Sequence, residues 1–289
     1  MAQLWEEQLP LNNIKSIRPV AGGDVNEAFK VNTSDETYFL LVQRQRKSSF
    51  YDVEIAGLEL FEKANITAPR VIKSGEINED AYLLLTFLEE GTTGSQEALG
   101  ELVAKLHSVQ QPDNKFGFDL PHEGGDISFD NTWTESWVTL FVERRLDHLR
   151  DELVRKGLWA DVDVETYEQV RSRIVEELSN KRSKPSLLHG DLWGGNYMFL
   201  NDGSPALFDP APFYGDREFD LGITTVFGGF TESFYETYDK HFPLGDGAQK
   251  RLEFYRLYLL MVHLVKFGAM YDSSVRRSMQ QIITDFPRG

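Results

Sequence analysis

Apolar residues in the first ninety positions come in short runs rather than in helical stripes. Stretches 14–20, 28–31 and 38–42 are compact and predict three short strands, the last two joined by a turn at Ser34, Asp35 and Glu36. Residues 50–64 change the period: apolar positions 50, 53, 57 or 58, 61 and 64 fall on one face of a helix. Two further strands are predicted at 70–72 and 81–87, and the run Glu89, Glu90, Gly91, Thr92, Thr93, Gly94 then breaks every pattern and reads as a linker.

Beyond it the chain turns helical. Leu99, Leu102, Val103, Leu106 and Val109 line one face of a helix that begins near Ser95, a good N-cap. A loop rich in Gly, Asp and Pro is expected over 111–131, helices over 133–149 and 164–178, and short strands at 185–189, 197–200 and 206–208. Residues 252–270 predict a long, aromatic-rich helix. The pattern therefore predicts an α+β, bilobal chain: a β-rich lobe over 1–90 with one helix, a hinge near 88–94, and a helical lobe over 91–289.

Composition narrows the partners. At 289 residues the chain is long enough for two lobes, and 41% hydrophobic with 26% charged residues is an ordinary globular balance. No apolar run reaches the ~18 residues that span a bilayer, and the first ten residues lack the basic start of a secretory leader. Cysteine is absent, which removes disulfides, thiolate metal sites and cysteine nucleophiles together. A cytoplasmic protein is expected. The formal charge of −16 repels nucleic acid and anionic lipid, so neither is an expected partner, and it favours a weakly cationic substrate.

The chemistry is concentrated in His189, Gly190, Asp191, Leu192, Trp193, Gly194, Gly195 and Asn196. An Asp followed five positions later by Asn is the spacing of a kinase-type catalytic loop. One carboxylate must take the proton of an attacking hydroxyl, and a nearby amide oxygen must ligate the metal on the phosphates. Gly194 and Gly195 let the backbone bend between them. Asp209 follows after a strand–turn–strand segment turning at Asn201, Asp202, Gly203 and Ser204, so a hairpin would return it beside Asn196. Together they offer hard oxygen ligands suited to Mg²⁺. His189 is expected to brace the loop. His107, His241 and His263 are isolated and read as packing or surface residues, and the stripe of Phe254, Tyr255, Tyr258 and Phe267 reads as core that in part lines an acceptor pocket.

With the string Phe208, Asp209, Pro210, Ala211, then Tyr214 to Leu221, then Phe227, Gly228, Gly229, Phe230, this segment resembles the fructosamine kinase (ketosamine 3-kinase) family. The likeness extends to Ala21, Gly22, Gly23, Asn26 and Glu27, to Glu54, to Ala104 through His107, to Phe116 through Phe118, and to Trp137 with Arg144, Arg145 and Leu146, so it covers nearly the whole chain. The resemblance implies a protein-kinase-like fold shared with aminoglycoside phosphotransferases, ATP as donor with Mg²⁺, and a ketosamine acceptor whose phosphorylation releases the amine. It implies Asp191 as catalytic base, and Asn196 and Asp209 as metal ligands. Gly22 and Gly23 would lie over the triphosphate. Glu54 would partner the nucleotide lysine, Phe87, Leu88 and Glu89 would form the adenine hinge, and Trp193 would face the acceptor sugar. Asp216 and Glu218 are expected to bind Arg217 or the loop backbone rather than substrate.

One departure stands out: Leu41 occupies the strand position where such kinases carry the nucleotide lysine. Losing a charge-assisted contact of that kind costs about 1.5–3 kcal/mol, and Asp24 adds negative charge nearby. Arg44, Arg46 and Lys47 are the candidates to compensate. Two other functions fit parts of the pattern: a phosphotransferase for an aminoglycoside- or choline-like acceptor, against which the 214–230 string argues, and a nucleotide-binding pseudokinase, against which the intact Asp191, Asn196 and Asp209 set argues.

Overall fold

The computed structural model describes residues 2–20, 26–124 and 127–287. The chain divides into two compact units, Met1–Ser95 with Tyr197–Pro210, and Gln96–Asn196 with Ala211–Gly289.

The first unit is built on a five-stranded antiparallel sheet in the order β1 (Ser16–Pro19), β2 (Glu27–Asn32), β3 (Thr37–Gln43), β5 (Asp80–Thr86), β4 (Val71–Ile77). Thr33 makes the β2–β3 turn, its hydroxyl accepting the amides of Asp35 (3.2 Å) and Glu36 (3.0 Å). The β4–β5 hairpin turns on Asn78 and Glu79, both at positive φ, the two-residue geometry that matches strand twist. β4 is longer than its apolar start suggests, because Lys73, Ser74, Gly75 and Glu76 form a polar edge strand. A helix not expected from the sequence, α1 (Ala2–Gln8), brings Trp5 onto Val31, Leu40, Val42, Ile77, Tyr82 and Leu84, covering one sheet face. The consecutive burial of Leu40, Leu41 and Val42 shows that the centre of the sheet is covered on its other face as well. A 3₁₀ turn at Ser48–Tyr51 leads into α2 (Asp52–Lys63), which buries Leu58 and Phe61.

The hairpin of β9 (Tyr197–Phe199) and β10 (Pro205–Leu207) joins this unit rather than the helical one, which corrects the expected 91–289 boundary. The reason is backbone pairing: Leu207 N–H donates to Thr67 (2.9 Å), Gly91 N–H donates to Phe199 (2.7 Å), and Glu90 bridges Leu200. The break between units falls at Ser95 rather than at residue 90.

In the second unit, α3 (Gln96–Ser108) begins where expected. The 111–131 loop contains a small hairpin, β6 (His122–Gly124) and β7 (Ile127–Phe129). A π-helical segment, Thr139–Leu146, runs into α4 (Asp147–Arg155), and α5 spans Asp161–Asn180. β8 (Pro185–Leu188) pairs with β11 (Phe213–Asp216). Helices α6 (Glu218–Phe227), α7 (Glu232–His241), α8 (Ala248–Phe267) and α9 (Asp272–Asp285) complete the unit. Trp137, Phe141, Phe213, Phe219, Tyr255 and Tyr258 interlock in its core, with ring centroids 4.8–6.3 Å apart in the pairs Phe141–Tyr255 and Trp137–Phe213. Gly222 permits the close crossing of α6 and α8, since a Cβ there would stand 2.6 Å from Tyr255 Cβ. Among the described residues no helix is long and apolar enough to cross a membrane.

Candidate active site

The loop after β8 is tightly wound because its polar groups satisfy one another. Trp193 N–H donates to the Asp191 carbonyl (3.1 Å), and Asn196 N–H donates to the Trp193 carbonyl (3.0 Å). The Asn196 amide nitrogen donates to the Asp191 carbonyl (2.8 Å) and to its carboxylate (3.1 Å). The predicted base and the predicted amide ligand are thus held together, with Asn196 buried and Asp191 half-buried. His189 is fully buried and its Nδ1 accepts the Asp191 amide at 3.3 Å, the bracing role expected of it. Gly190 must be glycine: φ is +84°, and a Cβ would lie 1.8 Å from the Ala211 carbonyl oxygen.

The loop is anchored from behind by residues that the sequence reading passed over. Asp220, on α6 and fully buried, accepts the amides of His189 (2.7 Å) and Gly190 (3.0 Å). His107, also fully buried, lies 3.0 Å from the same carboxylate through Nε2 and 2.8 Å from the Tyr238 hydroxyl through Nδ1. With Nε2–H donating to Asp220, Nδ1 accepts the Tyr238 proton, and Arg217 donates to the Tyr238 oxygen (3.2 Å). His107 is therefore part of the loop's support, not an isolated packing residue. The signal for it was present in the Ala104–His107 and Tyr214–Leu221 matches, but its partner lies 113 residues away.

A second buried charged group of this unit is Arg145. Among the described residues it has no carboxylate partner in hydrogen-bond range; it donates to Asn131 (2.5 Å) and the Leu140 carbonyl (3.0 Å) and sits 4.2 Å from the Phe213 ring centroid. Burial lowers it to about 10. The Tyr258 hydroxyl is pushed up to about 12, by burial first; Arg145 opposes the rise and the Asp191 charge adds to it.

Asp216 and Glu218 do not hold Arg217. Lys181 bridges both carboxylates (2.6 and 2.7 Å), and Arg251 makes a two-pronged pair with Glu218 at 2.8 and 3.0 Å. Arg217 instead donates to the carbonyls of Phe242 and Pro243. Of the expected aromatic stripe, Phe254, Tyr255 and Tyr258 are core, whereas Phe267 is 55% exposed.

In the sheet unit, Asp209 lies two residues beyond the end of β10 and adopts φ +54°. The Tyr197–Leu207 pairing puts the strand that starts after Asn196 and the strand that ends before Asp209 at one end of the hairpin. Asp209 is exposed overall, yet desolvation of its carboxyl raises it above the ordinary range. Glu54, on α2, is raised to about 8 by burial and then by the Asp209 charge. Leu41 pairs with Ala28 and Leu83 in the sheet, and among the described residues no Lys or Arg pairs with Glu54. The expected lysine partnership of Glu54 is therefore not formed.

Of the three basic candidates, Arg44 is committed to Glu27 (2.6 and 2.9 Å) and Asp80 (2.6 Å), whereas Arg46 is exposed and Lys47 is 85% exposed beside Glu76. Phe87, Leu88 and Glu89 follow β5 outside any helix or strand, with the Lys30 ammonium 4.1 Å from the Phe87 ring centroid. Gly22, Gly23 and Asp24 lie outside the described residues. Trp193 is 40% exposed and its ring lies over Gly195, where a Cβ would come within 2.2 Å of it.

In the helical unit the Asn196 amide nitrogen is used within the loop, which leaves its oxygen as a hard ligand for a divalent cation. In the sheet unit the Asp209 and Glu54 carboxyls are both raised, and among the described residues no Lys or Arg pairs with either.

Comparison with known proteins agrees with this chemistry. The family model described as fructosamine kinase matches residues 1–285. A probable ketoamine kinase of Staphylococcus aureus is 67% identical over 99% of both chains. A crystal structure from Haemophilus somnus assigned as a fructosamine-3-kinase superposes with a TM-score of 0.83 at 29% identity, covering 98% of this chain and 96% of that one. An aminoglycoside phosphotransferase, at 14% identity and a TM-score of 0.68 over 99% and 98% of the two chains, shares the protein-kinase-like phosphotransferase fold.

Proposed function

Because this chain belongs to the fructosamine kinase family and is a ketosamine kinase, we propose that Asp191, Asn196 and Asp209 carry an in-line transfer of the ATP γ-phosphoryl group to a sugar hydroxyl. The acceptor is a ketosamine, the adduct of an amine with fructose, ribulose or erythrulose. The single observation that supports this reading most is the Asp191–Asn196 hydrogen bond, which holds a carboxylate for proton transfer beside an amide oxygen for metal. The aminoglycoside- and choline-like acceptors and the pseudokinase are not favoured.

In this reading Asp191 accepts the acceptor hydroxyl proton as its oxygen bonds to phosphorus and the bond to the ADP oxygen breaks. Asp220 fixes the backbone on which Asp191 rides. Asn196 and Asp209 would hold Mg²⁺, which neutralises charge on the phosphates. Phe87, Leu88 and Glu89 would bind adenine through their backbone, and Gly22 with Gly23 would approach the triphosphate. Trp193 would face the acceptor sugar. With Leu41 unable to donate to phosphate, nucleotide affinity rests on the metal and backbone contacts. Phosphate on the third sugar carbon destabilises the adduct and releases the amine, so the role is deglycation, a protein-repair reaction carried out in the cytoplasm, where ATP is supplied.

The test is ³¹P NMR and mass analysis of reactions with ATP, Mg²⁺ and lysine adducts of fructose, ribulose and erythrulose. A phosphorylated adduct that decays to free lysine is expected. No phosphorylated product on any of the three, with ATP–Mg²⁺ still bound, would refute the ketosamine reading.

A further inference from the structure

Exposed large hydrophobic side chains in the helical unit are not scattered. Val154 and Val162 stand apart, whereas Trp193 (40% exposed), Phe227 (43%) and Phe267 (55%) belong to one cluster. From Trp193 the rings follow one another: Phe227 at 6.4 Å, His263 at 4.7 Å from Phe227, then Phe267 at 5.3 Å and Tyr271 at 5.1 Å from His263. Met270, 74% exposed, adjoins Tyr271 in the chain. A contiguous exposed apolar strip of this kind marks a recognition surface more often than isolated exposed residues do. The strip begins inside the catalytic loop, two residues beyond Asp191, and the loop after α6 is kept against it by glycines: a Cβ on Gly194 would meet the Gly228 carbonyl at 3.1 Å.

We propose that this strip, through Phe227, Phe267, Tyr271 and Met270, binds the amine half of the acceptor as a lysyl chain carried on an extended peptide. The inference rests on the ketosamine kinase reading and adds to it the part of the substrate that is not sugar. Its chemistry follows from the adduct. The ketosamine nitrogen is a secondary ammonium, which ring faces attract, and the chain's charge of −16 favours a cation. Beyond that nitrogen a lysine offers four methylene groups, an apolar rod that aromatic rings cover well. His263 and Tyr271 are half-buried, while the exposed members run from Trp193 and Phe227 to Phe267 and Met270, the most exposed, so the strip is most open at its Met270 end, where a peptide leaves it. A free amine would be served by a closed pocket. His263 enters as a neutral ring: its Nδ1 lies 2.9 Å from the Leu259 carbonyl, and burial holds it below its ordinary value, so it does not repel the ammonium.

The experiment compares kcat/KM for a pentapeptide with a central ribulosyl-lysine against kcat/KM for ribulosyl-methylamine, using wild type, Phe227→Ala, and the double variant Phe267→Ser/Met270→Ser. The double variant alters only exposed side chains, so it keeps the test valid if Phe227→Ala folds poorly. The peptide-to-methylamine ratio is expected to fall about tenfold in each variant, the order of one lost ring contact. A ratio equal to that of wild type in both variants overturns the inference while leaving the kinase reading intact. If wild type sediments as a dimer and the double variant as a monomer with the ratio unchanged, the strip is a contact between copies of this chain and the inference is wrong. A wild-type protein inactive on both adducts overturns the kinase reading and this inference with it.

Discussion

Removing the Asp220 carboxylate isolates the support of the catalytic loop from its chemistry. In Asp220→Ala the amides of His189 and Gly190 and the His107 imidazole all lose their acceptor in a fully buried place. Each buried donor left unmade costs about 1–3 kcal/mol. Water entering the vacated volume recovers part of this, so the sum is about 3–5 kcal/mol, a large share of the roughly 5–15 kcal/mol that keeps a domain folded. Asp220→Asn keeps the volume and one acceptor oxygen but turns an NH₂ toward a donor, and it falls between the alanine variant and wild type. Urea unfolding followed by tryptophan fluorescence measures the stability, and turnover of a ribulosyl-lysine adduct measures the function. Because the loop backbone carries Asp191, and misplacement by about 1 Å costs roughly a hundredfold, kcat should fall in both variants even where the protein is still folded. Tyr238→Phe, which removes the far hydrogen bond to His107 and the one Arg217 donates to the hydroxyl but leaves both loop amides on Asp220, should cost about 1–2 kcal/mol and spare most of kcat. An alanine variant within about 1 kcal/mol of wild type, or one that loses stability while keeping kcat, would refute the reasoning.

Three further outcomes follow from individual groups. Glu54 keeps its proton to about pH 8 in the folded protein against an ordinary 4.5, so its contribution to stability is full below 4.5 and lost as pH rises through 8. Glu54→Gln should therefore stabilise the nucleotide-free protein by roughly 1–3 kcal/mol at neutral to mildly alkaline pH, read as a denaturant midpoint; parallel pH curves for the two proteins would contradict this. His122 is lowered from 6.5 to about 4 by burial and then by Arg145 and Lys266, so its contribution is present above 6.5 and lost as pH falls toward 4. His122→Phe should flatten that acid limb by about 2–3 kcal/mol, which thermal melts between those pH values would reveal or deny. Gly190→Ala, strained in φ and driven into the Ala211 carbonyl, should lose at least about 2 kcal/mol and most turnover; an active, stable variant would mean that the loop relaxes freely.

Local pattern made the strands, α2, α3 and the Asp191–Asn196 loop legible because each is written within a few residues. β3 is a short continuous apolar run buried at Leu40, Leu41 and Val42, and the loop's hydrogen bonds span only five positions. What stayed hidden depends on long-range pairing. α1 is a single apolar face around Trp5 that gains its meaning only against β2, β3 and β5. The β4 edge strand reads as a loop because its solvent side carries Lys73 and Glu76. α6 was visible as a family string but not as a helix, since Asp220 and Glu218 look like surface charges until His107, Arg251 and Lys181 arrive from distant segments. Arg44 looked available for phosphate for the same reason: its partners, Glu27 and Asp80, lie 17 and 36 residues away.

The account's central claim is that Asp191 accepts the proton of the acceptor hydroxyl, and Asp191→Asn tests it most directly. Asparagine keeps the size of the side chain, so the loop should hold and ATP–Mg²⁺ titration should match wild type, while kcat on the preferred ketosamine falls by about three orders of magnitude. A variant that binds nucleotide normally and turns over within about tenfold of wild type would place the base elsewhere and contradict the account.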